Sequence, residues 1–250
     1  MTISSQAYVE VIADLLPRVM RDQAPQVARA ADLITGSIRS GGVLHAFGSG
    51  HSEALAMELA GRAGGLVPTN RLALRDIVLF GGEPASVLGS PVLERDPTVA
   101  ARILAVAPVR PGDVFVIASN SGVNGVVVEM AHLVKERGHH LIAITSLDHT
   151  GTVAPRHPSG KRLCDLADVV VDNGAPYGDA VLPLPGGGAA GAVSSITAAA
   201  LAQMIVAEVI GRLLDAGETP PVYLSANIPG GDAHNDRLEA RYAGRIRRGA

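Results

Sequence analysis

The stretch that decides the fold is Val114-Phe-Val-Ile-Ala-Ser-Asn-Ser-Gly-Val-Asn-Gly-Val-Val-Val-Glu-Met-Ala-His-Leu-Val-Lys-Glu-Arg137. Its first residues, Val114–Ala118, form a short apolar run that suits a buried strand. A serine-rich turn follows, and then Val126, Val127, Met130, Ala131 and Val134 recur at helical spacing. Gly138 ends that helix, predicted over Gly125–Arg137, and Leu141–Thr145 is again strand-like. Strand, helix, strand in this order makes a βαβ unit, whose strands run parallel with a right-handed crossover.

Working outward, the same grammar recurs upstream. Val43–Phe47 reads as a buried strand, followed by Gly48-Ser-Gly-His-Ser52 and a helical pattern over Ser52–Arg62 that Gly64-Gly65 ends. Before it lie two helices, Ser5–Arg21 and Ala24–Ser40, with Pro25 suited to the first turn of the second. Leu66–Thr69 and Leu166–Asp172 are further strands, Ala85–Ala107 is a mixed segment with one or two helices, and a long helix follows Gly186-Gly187-Gly188. Such alternation predicts an α/β three-layer sandwich on a mostly parallel sheet of about five strands, a flavodoxin-like Rossmannoid. The expected divisions are N-terminal helices over 1–40, packed on the core or on a partner subunit, and a ligand-binding domain over 41–218. From 219 to 250 a loop and basic tail are expected, with Arg237, Arg241, Arg245, Arg247 and Arg248 solvated or contacting phosphate.

Composition narrows the partners. The chain is 47% apolar but has 3% aromatic residues and no Trp, so small aliphatics fill the core and base-stacking on single-stranded nucleic acid is disfavoured. A net charge of -3 gives no drive toward nucleic acid or membrane. Cys164 is the sole cysteine, which leaves no intrachain disulfide and no thiolate zinc cluster. Met1–Glu10 lacks the pattern of a signal peptide, and the expected location is the cytoplasm. Gly191–Leu214 is almost wholly apolar, yet Gln203, Glu208 and Arg212 at helical spacing favour a buried or subunit-facing helix over a membrane span. Its apolar surface and the N-terminal helices predict a homodimer or homotetramer.

The two loops carry the chemistry. Each joins a strand to a helix, so backbone N–H groups and hydroxyls converge at the positive end of a helix dipole, where a phosphate is held well. In the first loop Glu53 stands where a dinucleotide fingerprint needs its third glycine, and no Walker sequence occurs, so no cofactor is expected. Ser49 and Ser52 remain as donors, with simple helix capping by Ser52 as the competing reading. Ser119, Ser121 and Asn124 are more polar groups than one cap needs. If the strands adjoin, both loops share the carboxyl edge of the sheet, where open α/β folds bind ligands.

On these residues the chain resembles the SIS, or sugar isomerase, family of phosphosugar-binding domains. The likeness rests on Gly48-Ser-Gly-His-Ser52, Ser119-Asn-Ser-Gly122, Leu166-Ala-Asp168 before a strand and the last long helix, and it spans roughly residues 25 to 215. It implies that Ser119 and Ser121, with Ser52 and Asn124, hold a sugar phosphate. Glu58-Leu-Ala-Gly-Arg62 is similar to a segment of bacterial sedoheptulose-7-phosphate isomerases, which places their acid/base glutamate on Glu58. The histidine those enzymes carry on the last core helix has no counterpart, and Gln203 sits near its place.

Glu58 has an ordinary alternative, a helical ion pair with Arg62. In the catalytic reading it moves a proton between adjacent carbons through an enediol. Ring opening then needs another group, for which His51, His157 and His234 are candidates, and Lys161 is a candidate phosphate or oxyanion partner. Asn173-Gly-Ala-Pro-Tyr-Gly-Asp179 follows a strand and belongs with the specificity loops. His51, Glu53 and Glu58 have no compelling ligand spacing, and no metal is expected. The leading expectation is a sugar-phosphate aldose–ketose isomerase; the alternatives are a non-catalytic phosphosugar sensor and a sugar-phosphate etherase or lyase.

Overall fold

A computed structural model describes residues 3–247. Five strands, β1 (Leu44–Gly48), β2 (Thr69–Leu72), β3 (Val114–Ala118), β4 (His140–Thr145) and β5 (Val169–Asp172), form one parallel sheet in the order β2-β1-β3-β4-β5. From β1 the chain moves outward to the edge strand β2 and then crosses back to β3 on the other side of β1. The order of strands therefore reverses between β1 and β3, which opens a crevice at their carboxyl ends. The register makes Gly48 and Ala118 partners, so the loops after β1 and β3 leave the sheet side by side.

Alternation along the strands feeds two cores. Leu44, Ala46, Val114, Val116, Ala118, Ile142 and Ile144 face one layer, built from α1 (Ser5–Asp22), α2 (Ala24–Arg39), α3 (Glu53–Leu59) and, later in the chain, the long helix 194–215. Phe47, Phe115, Ile117, Leu141 and Ala143 face the other, which holds α4 (Asp76–Leu79), α5 (Thr98–Val106) and α6 (Gly125–Glu136). Val27, Ala30, Ala31 and Ile34 of α2 are fully buried in the first core, so the N-terminal helices belong to the same packed body as the sheet.

Several local expectations shift. The helix expected over 52–62 stops at Leu59, because Ala60 is extended and Gly61 takes φ +73°. The strand expected at Leu66–Thr69 lies at Thr69–Leu72; Leu66 instead makes an antiparallel bridge to Val222. The glycines 186–188 turn a hairpin of β6 (Ala180–Pro183) and β7 (Ala189–Ala192), which alternation too short to notice had hidden. Two further short helices are α7 (Leu147–Thr152) and, after the long α8 (Ser194–Asp215), α9 (Gly231–Ala240). The last one corrects the expectation of a loop and basic tail over 219–250. Arg245 donates to Asp113 at 2.6 Å and Asn70 donates to the Arg245 carbonyl, so the segment packs at the amino edge of the sheet; Arg248 lies outside the described residues. Helix α8 is long and apolar enough to cross a membrane by length and composition. Here it packs on α2 and α3, with Leu201, Ala202 and Ile205 fully buried.

Candidate active site

At the crevice between β1 and β3 lies a pocket of about 120 Å³. Its polar lining comes from four directions: His51, Ser52 and Glu58 after β1, Ser119 and Asn120 after β3, Asn173 after β5, and Ser194 and Ser195 at the start of α8. Glycines make the approach of the first loop possible. A Cβ on Gly48 would stand 2.3 Å from the Ser52 carbonyl oxygen, so only glycine lets the chain fold back there. Gly122, at φ +64°, tightens the second loop, and its N–H donates to Ser119 Oγ at 3.1 Å. Ser52 stands before α3 in a helical conformation and makes no side-chain cap, so the capping alternative is not what its hydroxyl does.

Glu58 is the only carboxylate in this lining. Its side chain is 23% exposed, and both of its donors meet the same oxygen: Gln203 Nε2 donates to Oε1 at 2.7 Å, and Arg62 Nη1 donates to Oε1 as well. Among the described residues no donor engages Oε2. The ion pair with Arg62 is thus present, and it leaves half of the carboxylate available to a guest. Gln203 reaches Glu58 from α8 although 145 residues separate them. The sheet edge is further braced by Asn173 Nδ2, which donates to Asn120 Oδ1 at 3.0 Å, and by Asp179, whose carboxylate accepts from the N–H groups of Val193 and Ser194 and from Ser194 Oγ. Asp179 holds φ +68° to do so, a left-handed conformation that aspartate tolerates.

The candidate residues divide. His51, Ser52, Glu58 and Ser119 line one pocket. Ser49 Oγ and Asn124 Nδ2 donate to Glu94 Oε2 at 3.3 and 3.4 Å, which ties the two loops together outside that lining. The Ser121 carbonyl accepts from Thr150 Oγ1, and its side chain is outside the lining too. Lys161 is exposed, with its backbone N–H donating to Ser159 Oγ. His157 is bonded to Glu129 and Ser159. His234 lies in α9, where Nε2 bonds the Val222 carbonyl at 3.0 Å, away from the crevice. The sequence reading passed over Asn120, Ser194 and Ser195. The last two were legible as polar residues opening an apolar helix.

The chain matches the family model described as the SIS domain over residues 7–146. It is 39% identical to a UPF0309 protein of Listeria monocytogenes serotype 4b over 96% of each chain. It is also 39% identical to a UPF0309 protein of Streptomyces avermitilis over 97% of this chain and 96% of that one. Among solved structures it is similar to the phosphoheptose isomerase GmhA of Neisseria gonorrhoeae, with TM-score 0.54, 19% identity and coverage of 83% and 100%. It is similar as well to the NanR protein of Vibrio vulnificus complexed with ManNAc-6P, with TM-score 0.51, 14% identity and coverage of 95% and 68%. At these identities the structural likeness is one of fold.

Proposed function

The chain belongs to the SIS-domain family, and on that premise we propose that it is a phosphosugar-binding enzyme that interconverts an aldose phosphate and a ketose phosphate at the β1–β3 crevice. The observation that carries this reading is the half-held carboxylate of Glu58, with Oε1 fixed by Gln203 and Arg62 and Oε2 unengaged in a pocket lined by serine and asparagine. Ser52, Ser119 and Ser195 supply hydroxyl donors for the phosphate, since the N–H groups of Val193 and Ser194 and the Ser194 hydroxyl are taken by Asp179. Ser121, Asn124 and Ser49 stay as outer contributors to phosphate binding, and Lys161 and His234 as groups that act only if a second copy brings them in.

In the forward direction Glu58 Oε2 takes the proton from C2 of the open-chain aldose, and the electron pair forms the C1–C2 double bond of an enediol as the carbonyl oxygen at C1 is protonated. The proton then returns from Glu58 to C1, while the O2 hydroxyl gives up its proton to solvent, replacing the one that O1 took from solvent, and becomes the ketose carbonyl. Gln203 acts through Glu58 and is a positioning residue. His51, exposed at the pocket rim, is placed to assist ring opening. This substrate class agrees with the structural neighbours, a phosphoheptose isomerase and a protein complexed with ManNAc-6P.

The test is loss of deuterium from C2-labelled hexose, heptose and amino-sugar phosphates. Wild-type protein is expected to wash out the label from at least one of them. Glu58→Gln should lower that rate by about 10²–10⁴, the usual contribution of a general base, while phosphate binding persists. Tight binding without exchange in the wild type would identify a sensor instead, and release of an ether substituent would identify an etherase.

A further inference from the structure

Beyond the edge strand β2 lies a second and larger cavity, of about 550 Å³, which shares no lining residue with the serine pocket. That volume falls within the range of roughly 300–1,000 Å³ typical of small-molecule sites. Four guanidinium groups line it, those of Arg62, Arg71, Arg75 and Arg247, against the single carboxylate of Asp76. Arg62 pairs with Glu58, and Arg75 with Glu53 at 2.9 Å. Arg71 and Arg247 make no ion pair among the described residues. Four positive charges against Asp76, Glu53 and Glu58 leave a surplus of one, in a chain whose net charge is -3. The Arg75 side chain is 37% exposed, so its pair with Glu53 is weak and an incoming anion exchanges it easily, while Arg62 stays on Glu58.

Arg247 is the most fixed of the four. Its backbone N–H donates to Asn70 Oδ1 at 2.7 Å, Nη2 donates to the Val106 carbonyl, and the guanidinium lies 3.8 Å over the Phe80 ring. Its Nη1 is buried and has no partner among the described residues, an unfavourable state that an acceptor oxygen would relieve. The cavity also has an apolar wall. Met57, Leu79 and Phe80 line it and are among the exposed large hydrophobic side chains of the molecule. Guanidinium forks match phosphate oxygens bidentately, and an aromatic face accepts a flat ring.

We propose that this cavity is a second ligand site, for an organic phosphate with a flat apolar body, of the nucleoside phosphate class. Arg71, Arg75 and Arg247 hold the phosphoryl oxygens, and Phe80 with Leu79 takes the flat group. The inference stands on this cavity alone and is independent of what the serine pocket does.

The experiment is calorimetric titration of the full chain with ATP, adenosine and inorganic pyrophosphate. ATP is expected to bind once per chain, at least tenfold tighter than either fragment. The Arg71 side chain makes no hydrogen bond or ion pair among the described residues, so Arg71→Gln should fold normally and weaken ATP at least fivefold. Arg71→Lys should recover only part of that loss, since an ammonium lacks the fork. Phe80→Ala should weaken ATP and leave pyrophosphate unchanged. The proposal is overturned if ATP does not bind, if a sugar phosphate displaces it competitively, or if neither substitution affects it. Pyrophosphate binding as tightly as ATP overturns the nucleoside assignment, and closure of the cavity by a second copy, seen as Leu79→Asp dissociating an oligomer that does not bind ATP, overturns the site.

Discussion

At the amino edge of the parallel sheet Asp113 is held by four donors, whereas at the carboxyl edge Glu58 is held on one oxygen only. Asp113 Oδ1 accepts from the Val43 N–H at 2.8 Å and from Arg245 Nη2 at 2.6 Å. Its Oδ2 accepts from the Arg110 N–H at 2.8 Å and from His45 Nε2 at 3.0 Å. Both are carboxylates that meet an arginine, Asp113 just before β3 and Glu58 within α3, so residue type does not separate them. What separates them is saturation. A carboxylate with every lone pair occupied inside the protein is structure, and one in a pocket lining with an oxygen that no donor engages is free for chemistry. The pKa directions point the same way. Burial lowers the His45 pKa, against the opposing pull of Asp113, and the neutral ring uses Nε2–H toward Asp113 while Nδ1 stays buried without a partner. For Asp113 burial pushes upward, but the hydrogen bonds from His45 and the Arg110 and Val43 amides, with the His45 interaction, bring its pKa below the ordinary value. The histidine with the lowered pKa thus sits at the closed end, bonded to Asp113, and Asp113 ties the C-terminal segment to the sheet through Arg245.

The largest effect follows from breaking that closed end. Asp113→Ala strands His45 and the Arg245 guanidinium in the interior, and losing one partner of a buried charge pair costs about 3–5 kcal/mol. Urea denaturation should show that loss, while the folded fraction still binds sugar phosphate with unchanged affinity. A loss below 1 kcal/mol would mean that the C-terminal segment is not latched through Asp113.

The difference between the two ends also explains what the sequence could disclose. The βαβ unit at 114–145 and the two serine loops were legible because periodicity and glycine placement are local. The neighbourhood of those loops followed from topology, once β1 and β3 adjoined. Gln203 beside Glu58, and Asn173 beside Asn120, join residues 145 and 53 positions apart, which no local pattern records. Helix α9 was hidden by its glycine-rich entry and polar composition; its stability comes from Asn235, whose side chain pairs with both backbone groups of Leu224, and from Leu238 packed with Val67 and Tyr223. Lys161 and His234 were attractive as residue types, and only the tertiary fold shows that neither lies in the pocket lining.

A pH experiment sharpens the contrast next. Because the folded His45 pKa is lowered, the native chain refuses a proton that the unfolded chain accepts once the pH falls below the ordinary value of 6.5. His45 therefore contributes stability above that pH and withdraws it on acidification, at up to about 1.4 kcal/mol per pH unit. Asp113 adds a second loss in the carboxylate range, as the pH falls through its unfolded and then its depressed folded pKa. His45→Gln should flatten the slope just below pH 6.5 and leave the lower-pH loss in place. An unchanged slope would place the first proton elsewhere.

At the open end the expected effects are smaller and appear in binding. Ser195 is exposed in the pocket at the start of α8. Ser195→Ala should leave stability within about 0.5 kcal/mol and weaken sugar-phosphate binding by about 1–2 kcal/mol, the range of one hydrogen bond to a charged group. Calorimetry of binding beside a denaturation curve separates the two.

The smallest effect is expected at Lys161. Its backbone N–H donates to Ser159 Oγ, a bond that survives any substitution except proline, and its side chain is exposed outside the pocket lining. An exposed ammonium at that position is screened by solvent and salt, so Lys161→Ala should change stability by less than about 0.5 kcal/mol. Sugar-phosphate affinity should shift by less than twofold by the same reasoning. A tenfold loss would carry structural information of its own. Within one chain Lys161 is not among the residues that line the crevice, so a loss of that size would mean that a second copy delivers Lys161 to its neighbour's phosphate. Repeating the titration under conditions that dissociate the assembly would then abolish the difference between Lys161→Ala and wild type, and its persistence would return the effect to the chain itself.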